Sequence, residues 1–402
     1  MRKFTGSFTQ QEPLPEDAIE AAVEVMRSGR LHRYNIVEGE VAPAARLEEA
    51  FAEYMGARYC LACASGGYAL HVALRAAGLR AGEVVLTNAF SLAPVPGAID
   101  NAGGVAVLVE TNAELVIDLD DLEEKLEQHR PGFLLLSHMR GHIVDMDALC
   151  ALLQRYGTKL IEDCAHTMGA SWDGRKSGSF GLAGCFSTQT YKHLNSGEGG
   201  LLVSDDPDFM ARAIFYSGSY MLYERHGLPP APEAFAQAAA LTPNYSGRMD
   251  NLRAALLLPQ LRRLEDNCER WNQRYRLIAN CLGDVAGIRL PQRDPKERYV
   301  GSSIQFFLDN RSGEEIQAFL AACLDRGIEV KWFGASEPSG YTSRYDHWGY
   351  LQSRQLPRTD RILHGLCDIR IPLTFSPEDC EQVGKGIAEA FAQTCIETRE
   401  AV

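Results

Sequence analysis

The chain has 402 residues and a formal net charge of −13, from 40 Lys and Arg against 53 Asp and Glu. A composition of 46% hydrophobic and 23% charged residues is that of a folded globular protein and excludes a disordered chain. The acidic balance argues against nucleic acid as a partner, and no apolar run has the length that a membrane helix requires. At roughly 150 residues per domain, this length predicts two domains.

The eleven cysteines lie mostly in apolar runs, which is typical of free, buried thiols in a reducing compartment. The first ten residues contain no apolar core of a signal peptide. We therefore predict a cytoplasmic protein. The one Cys-x-x-Cys, Cys60 and Cys63, falls in a predicted strand, where residues three apart face opposite sides. Packing is thus favoured over a redox or zinc site, and we predict no metal.

In chain order, an N-terminal arm over residues 1–15 precedes alternating helices and strands. Helical periodicity predicts helices over 16–28, 42–55, 69–77, 96–102, 120–128 and 146–156. Short apolar runs predict strands over 58–63, 84–86, 106–109, 133–137, 159–162 and 185–187. Such alternation, with continuously apolar strands, is typical of a parallel sheet covered by helices on both faces.

The pattern changes after Ser204. The Pro- and Ala-rich residues 227–243 predict a surface insertion, and a long helix follows over 249–282, kinked near its start by Pro259. Further elements are predicted as a strand over 303–308, a helix over 313–326, a strand over 328–330 and a final helix over 377–391. We therefore predict a large domain over 16–250, and a linking helix with a smaller α+β domain over 251–402.

Two residues near the middle of the chain predict chemistry. Asp163 ends a buried strand, where open α/β sheets bind ligands, and a carboxylate there needs a cationic partner. Lys192 follows the next strand, and a lysine of lowered pKa can form a Schiff base with a carbonyl. Together they match a pyridoxal phosphate site. Alone, Asp163 is more often a helix cap and Lys192 a surface charge, so their order and spacing carry the prediction.

Residues 161–200 resemble the DegT/DnrJ/StrS family of pyridoxal phosphate-dependent sugar aminotransferases, which have fold type I. The residues that carry the resemblance are Glu162, Asp163, Ala165, His166, Gly178, Ser179, Gly181, Phe186, Ser187, Lys192, Gly197, Glu198, Gly199 and Gly200. The resemblance extends over nearly the whole chain. It implies an α/β transferase whose large domain holds a mainly parallel seven-stranded sheet, and a homodimer with shared active sites.

The resemblance also implies a role for each matching residue. Lys192 would form the Schiff base with the cofactor and then move the proton between the substrate Cα and the cofactor. Asp163 would pair with the pyridine nitrogen, and His166 would contact the phenolic oxygen. The expected phosphate and cofactor contacts are Ser65, Gly66, Gly67, Ser187 and Gln189.

Several positions depart from the family's pattern. Gly67 replaces a threonine, so a hydroxyl near the phosphate is lost. Leu92 stands where an aromatic residue usually stacks on the cofactor ring; Phe90 is the alternative, and the alignment favours Leu92. Ser246 stands where an asparagine usually reaches the partner's cofactor, and Asn244 can compensate.

The expected substrate contacts are Arg140, Arg33 and Tyr34. Arg140 would bind a carboxylate of the donor or acceptor, and a local ion pair with Asp145 is an equal alternative. The resemblance implies amino transfer from an amino acid, L-glutamate being expected, to a keto or aldehyde carbon of a sugar-like acceptor.

Arg140 and residues 188–193 around Lys192 favour one carboxylate-bearing acceptor in particular, an 8-oxo-3-deoxy-octulosonate. A dehydratase or cyclisation enzyme on the same scaffold is the alternative, since His193 neighbours Lys192 and a histidine replaces the lysine in dehydratase relatives. A non-catalytic regulator is a third hypothesis, and the intact Asp163, Ser187 and Lys192 argue against it.

Overall fold

A computed structural model describes residues 3–218, 222–239, 241–339, 344–351 and 355–400. The strands are β1 (Tyr59–Cys63), β2 (Val84–Asn88), β3 (Val105–Val109), β4 (Phe133–Ser137), β5 (Lys159–Asp163), β6 (Ser171–Trp172), β7 (Arg175–Lys176), β8 (Ala183–Ser187), β9 (Gly200–Ser204), β10 (Ile288–Arg289), β11 (Glu297–Arg298), β12 (Ser303–Leu308), β13 (Lys331–Trp332) and β14 (Leu366–Arg370).

The α-helices alternate with these strands in the first half of the chain and cover the sheets. They are α1 (Glu16–Ser28), α2 (Pro43–Met55), α3 (Gly66–Ala76), α4 (Pro94–Asn101), α5 (Leu119–His129), α6 (Met146–Tyr156), α7 (Pro207–Ser217), α8 (Pro232–Ala238), α9 (Asn251–Leu261), α10 (Leu264–Gly283), α11 (Gly313–Asp325), α12 (Pro357–His364) and α13 (Pro377–Glu400).

A seven-stranded sheet in the order β1-β9-β8-β5-β4-β2-β3 forms the centre of the fold. Four of its neighbouring pairs are parallel, and β9 runs antiparallel to both β8 and β1. Each face of the sheet is covered by its own apolar core. Side chains of a pleated strand alternate between the two faces, so Cys60 lies in one core and Cys63, three residues later, lies in the other. The predicted α/β fold with a mainly parallel sheet is confirmed.

A second, four-stranded antiparallel sheet in the order β10-β12-β14-β13 carries its own core. Helices α10, α11 and α13 pack around it, with α10 against α13 as the largest helix contact. The N-terminal arm joins this core, because Phe4 and Phe8 pack edge-to-face against Phe375 at 5.1 and 5.0 Å between ring centroids. The domain division at residue 250 stays a prediction. In the described part of the chain, no helix combines the length and apolar character needed to cross a membrane.

The structure corrects three predicted elements. Residues 227–243 are not only a surface loop: α8 lies among them, and its Phe235 is 1% exposed and stacks on Tyr223 at 4.1 Å. The long linking helix is two helices, α9 and α10, with Pro259 inside α9 and the break after Leu261. The strand predicted over 328–330 is wrong, because pairing with β14 begins only at Lys331.

Candidate active site

One edge of the large sheet gathers the ends of several strands. The register pairs Ser137 of β4 with Asp163 of β5 and Asp163 with Cys185 of β8. It also pairs Ser187, the last residue of β8, with Gly200 of β9, which lies opposite the last residue of β1. Asp163, Ser187 and the segment that follows β1 therefore converge at the edge where α/β sheets bind ligands.

Asp163 is 7% exposed and held by two hydrogen bonds. The Ser137 hydroxyl donates to its Oδ2 at 2.7 Å, and the backbone N–H of Ala165 donates to its Oδ1 at 3.1 Å. These contacts fix the carboxylate without neutralising it. A buried carboxylate of this kind can hold a protonated nitrogen of a ligand.

Neighbouring Glu162 explains the Gly-Ser-x-Gly part of the sequence pattern. Its carboxylate accepts hydrogen bonds from the backbone N–H groups of Gly178, Phe180 and Gly181 at 2.9, 2.7 and 3.1 Å. It also lies 3.1 Å from the Nε2 atom of His138, and with Cys164 these residues form a buried group of metal-ligand types. Because its oxygens already accept several N–H bonds, Glu162 acts here as the anchor of a turn.

Lys192 lies five residues beyond Ser187 and is half-buried. Its Nζ atom is 2.8 Å from Nε2 of His166. Burial and the positive charges of Arg140 and Arg370 lower its pKa to about 7, although Asp163 opposes the shift. A lowered pKa increases the unprotonated fraction of the amine near neutral pH, and the unprotonated amine is the nucleophile.

His166 is neutral near Lys192. Burial, together with the charges of Lys192 and Arg140, holds its pKa well below the ordinary value. The backbone N–H of Arg140 donates to Nδ1 at 3.4 Å, which favours the tautomer with the proton on Nε2, facing Lys192. His166 can therefore donate a hydrogen bond into the site.

The start of α3 and Ser187 form a cradle for an anionic group. The Ser65 hydroxyl caps α3 by accepting from the N–H of Tyr68 at 3.1 Å, while the first-turn N–H groups of Gly66 and Gly67 have no acceptor within the helix. A Cβ on Gly66 would lie 2.8 Å from Cβ of Ser187, so glycine is required there by close approach. A Cβ on Gly67 would meet only Pro94, at 3.6 Å.

Other residues predicted to bind the cofactor take different positions. Gln189 is half-buried beside Ser187, and its Oε1 accepts from the N–H of Tyr191 at 3.1 Å. Phe90 is 2% exposed and packs on Phe333 at 5.1 Å, within a core. Leu92 is only partly buried against that core and keeps an accessible surface. Asn244 is exposed.

Burial argues against the predicted substrate contacts at Arg33 and Tyr34. Arg33 is 1% exposed, and its guanidinium lies 2.7 Å from Glu48, which is fully buried. The Tyr34 hydroxyl lies 2.8 Å from Nε2 of His226, whose Nδ1 is 3.1 Å from the Glu48 carboxylate. Glu48 also accepts from the N–H of Ala62 in β1 at 2.8 Å. These residues tie the early loop and α2 to the sheet.

Arg140 forms an ion pair, but with a partner other than Asp145. Its guanidinium lies 3.1 Å from Asp368 of β14, which is fully buried, whereas the Asp145 side chain caps α6. Arg140 has a left-handed backbone, with φ of 56°. The structure also brings Arg370 of β14 toward the site, a residue that sequence reasoning missed; its guanidinium lies 4.1 Å above the ring of Tyr191.

Residues 14–388 match the sequence profile of the DegT/DnrJ/EryC1/StrS aminotransferase family. The chain belongs to this family. An L-glutamine:2-deoxy-scyllo-inosose aminotransferase from Streptomyces lividus is 32% identical over 65% of the chain, a match that spans 62% of that protein. A pleiotropic regulatory protein from Geobacillus stearothermophilus is 28% identical over 95% of the chain and 96% of its own length.

Solved structures share the fold. PseC from Helicobacter pylori, an aminotransferase involved in pseudoaminic acid biosynthesis, superposes with a TM-score of 0.83 at 16% identity, covering 98% of this chain and 100% of that one. The family assignment confirms the predicted class, an aminotransferase family whose cofactor is pyridoxal phosphate. The donor set fits that cofactor: a fixed carboxylate, an amine of lowered pKa and a cradle of N–H groups that a Cβ at position 66 would fill.

Proposed function

We propose that the protein transfers an amino group from an amino acid, L-glutamate or L-glutamine, to a keto or aldehyde carbon of a sugar-like acceptor. The observation that carries the proposal is Lys192: a half-buried amine with a pKa lowered to about 7, 2.8 Å from His166, at the sheet edge that Asp163 and Ser187 share. A structural lysine has no need of such surroundings.

When bound, pyridoxal phosphate supplies an aldehyde carbon that accepts an amine and a ring that withdraws electrons from the substrate. Lys192 would provide the amine that holds the cofactor and, once released, a base that moves a proton at the substrate carbon. Asp163 would keep a proton on the ring nitrogen. Ser187, Gly66 and Gly67 would bind the phosphate, and Nε2–H of His166 would donate to the phenolic oxygen.

A sugar-like acceptor is supported by the relatives, whose names specify inososes, which are cyclic polyhydroxy ketones. An octulosonate carries a carboxylate in addition. The carboxylate-binding role expected of Arg140 is weakened by its ion pair with Asp368. A carboxylate-bearing acceptor would therefore need a further cation in the site.

The dehydratase alternative is disfavoured by the positions of the two adjacent residues. His193 is 5% exposed, packs against Trp271 at 5.1 Å and lies 3.0 Å from the Ser302 hydroxyl. Lys192, not His193, contacts His166.

A regulator without catalysis is a second candidate, favoured by the regulatory relative that matches nearly the full chain.

We also propose a homodimer with shared sites. Asn244 and Tyr245 lie on an exposed loop, and Leu241 nearby is 83% exposed, which favours burial against a second copy. Oδ1 of Asn244 accepts from the Ser246 N–H at 2.9 Å, which holds the loop in shape. Mixing inactive Lys192→Ala and Asn244→Ala chains tests this, because a mixed dimer would regain one intact site and part of the activity.

Amino transfer tests the main proposal. Holoenzyme is incubated with L-glutamate or L-glutamine and a panel of keto sugars and inososes, and the keto acid and amino product are quantified by mass spectrometry. Stoichiometric keto acid and amino product support the proposal. A dehydrated product without keto acid would support the dehydratase, and no turnover of any acceptor by cofactor-loaded protein would favour the regulator.

A further inference from the structure

Asn88 is the last residue of β2, and its side chain is buried. The register between β2 and β4 runs only as far as Thr87 and Leu135. Beyond that point the carboxamide of Asn88 joins the two strands. Its Oδ1 accepts from the backbone N–H of Ser137 at 2.8 Å, and its Nδ2 donates to the Ser137 carbonyl at 3.1 Å. Ser137 is thus held through both of its main-chain polar groups.

The same carboxamide also holds the loop that follows β2. Nδ2 of Asn88 donates a second hydrogen bond, to the carbonyl of Phe90 at 2.7 Å. Phe90 lies two residues before Leu92, the residue expected to cover the cofactor ring. The partners of the carboxamide are all backbone groups of fixed donor or acceptor character, so they determine which of its ends is oxygen and which is nitrogen. The side chain therefore fits in one orientation.

A continuous chain of hydrogen bonds connects this carboxamide to Asp163. The Ser137 hydroxyl donates to Oδ2 of Asp163 at 2.7 Å, and the two residues are paired in register across β4 and β5. The Ala165 N–H donates to the other oxygen, Oδ1, at 3.1 Å. The side chains of Asn88, Ser137 and Asp163 are all buried. Removing one member of the chain therefore leaves a buried polar partner unsatisfied.

We propose that Asn88 is a positioning residue of the cofactor site and fixes two sides of that site at once. Through Ser137 it sets the direction of the Asp163 carboxylate, and through Phe90 it sets the loop that carries Leu92. The inference rests on the proposed function, in which Asp163 faces the ring nitrogen of the cofactor. Asn88 acts only through the residues it holds, because a hydrogen bond from the ring nitrogen weakens when the accepting carboxylate rotates.

Cofactor binding and the circular dichroism of the bound cofactor test the inference. The visible band of pyridoxal phosphate gains strong optical activity when the protein holds it in one asymmetric orientation, so the amplitude per bound cofactor reports positioning. We expect Asn88→Ala to weaken pyridoxal phosphate binding about fivefold or more and to reduce this amplitude.

Asn251→Ala is the matched control. It also removes a buried carboxamide whose three partners are backbone groups, those of Arg30, His32 and Ala44. We expect this control to lose stability in thermal unfolding and to keep the cofactor affinity and the amplitude of the wild type. If Asn88→Ala and Asn251→Ala give equal affinities and equal amplitudes, Asn88 only stabilises the fold and the inference is overturned.

Ser137→Ala removes a single hydroxyl and carries the test if Asn88→Ala does not fold. Its control is Ser204→Ala, whose hydroxyl donates to the Leu182 carbonyl at 2.7 Å, at the opposite end of β9 from the site. We expect Ser137→Ala alone to weaken cofactor binding and reduce the amplitude. Combined with Asn88→Ala, its effect should be less than additive, because both act on Asp163. Fully additive losses, or a Ser137→Ala that matches its control, would overturn the inference.

Asp163→Asn distinguishes failure of this inference from failure of the proposed function. If Asp163→Asn loses cofactor affinity and amplitude while Asn88→Ala keeps both, only the inference is wrong. If Asn88→Ala behaves as expected and the wild-type holoenzyme transfers no amino group to any acceptor, only the proposed function is wrong.

Discussion

Replacing Gly66 with alanine tests the phosphate cradle at its tightest contact. The new Cβ would lie 2.8 Å from Cβ of Ser187, 3.2 Å from its Cα and 3.3 Å from its Oγ. Carbon atoms pack best at about 3.5–4.0 Å, and one of the crowded atoms is backbone, so β8 or the start of α3 must move. Either movement separates the Ser187 hydroxyl from the first N–H groups of the helix.

The size of the effect follows from the cost of overpacking, about 1–3 kcal/mol. If that cost lowers the free energy of cofactor binding, cofactor affinity decreases by about 5- to 140-fold, at 1.4 kcal/mol for each factor of ten. Titration of the apoenzyme with pyridoxal phosphate, followed by quenching of tryptophan fluorescence, measures the dissociation constant. Thermal unfolding of the same samples shows whether the variant remains folded.

Gly67→Ala is the matched control, one residue along the same helix turn. Its Cβ would meet only Pro94 at 3.6 Å, an ordinary contact, and its N–H is retained. We expect cofactor affinity within about threefold of the wild type and stability unchanged or slightly higher, because alanine restricts the unfolded chain. Equal affinities for the two variants would refute the cradle at Gly66 and Ser187.

Three further outcomes are expected. Arg33→Met should lower the free energy of unfolding by about 3–5 kcal/mol, because it leaves the Glu48 carboxylate buried without its cation. Turnover by the folded fraction should be unchanged. A variant of full stability that has lost turnover would instead support the predicted substrate contact at Arg33. Gly67→Thr should tighten cofactor binding, because position 67 has room and the added hydroxyl is a donor; weaker binding would contradict this placement. In the folded apoenzyme, Lys192 binds fewer protons than in the unfolded chain, so the free energy of unfolding should rise between about pH 7 and 10.5. Urea titrations measure this rise, and Lys192→Met should remove it. If the free energy of unfolding changes with pH equally in both proteins, the lowered pKa of Lys192 is wrong.

Much of the candidate site could be predicted because its parts are local in sequence. Asp163 and Ser187 end apolar strands, and the sheet brings strand ends together whatever the loops do. Lys192 lies five residues after Ser187 in the sequence. The fold class followed from the same alternation of strands and helices.

The ion pairs that sequence reasoning missed depend on distant contacts. The strand β14 contains Asp368, a fully buried charge in a central strand, which breaks the apolar pattern that predicts strands. Its partner Arg140 lies in another sheet's loop, so neither sequence segment shows the pair. Sequence reasoning likewise predicts Arg33 as a substrate contact, because its own segment does not show that Glu48 of α2 is its partner. Pairing across such distances is decided by tertiary packing, not by local periodicity.

The central claim is that Lys192 holds the cofactor. Holoenzyme is reduced with borohydride, digested, and searched by mass spectrometry for a phosphopyridoxyl group. We predict that the group is found on the peptide containing Lys192, and that Lys192→Ala, folded and supplied with cofactor, carries none and transfers no amino group. A modified lysine elsewhere in the chain, or amino transfer by Lys192→Ala at the wild-type rate, would contradict the account.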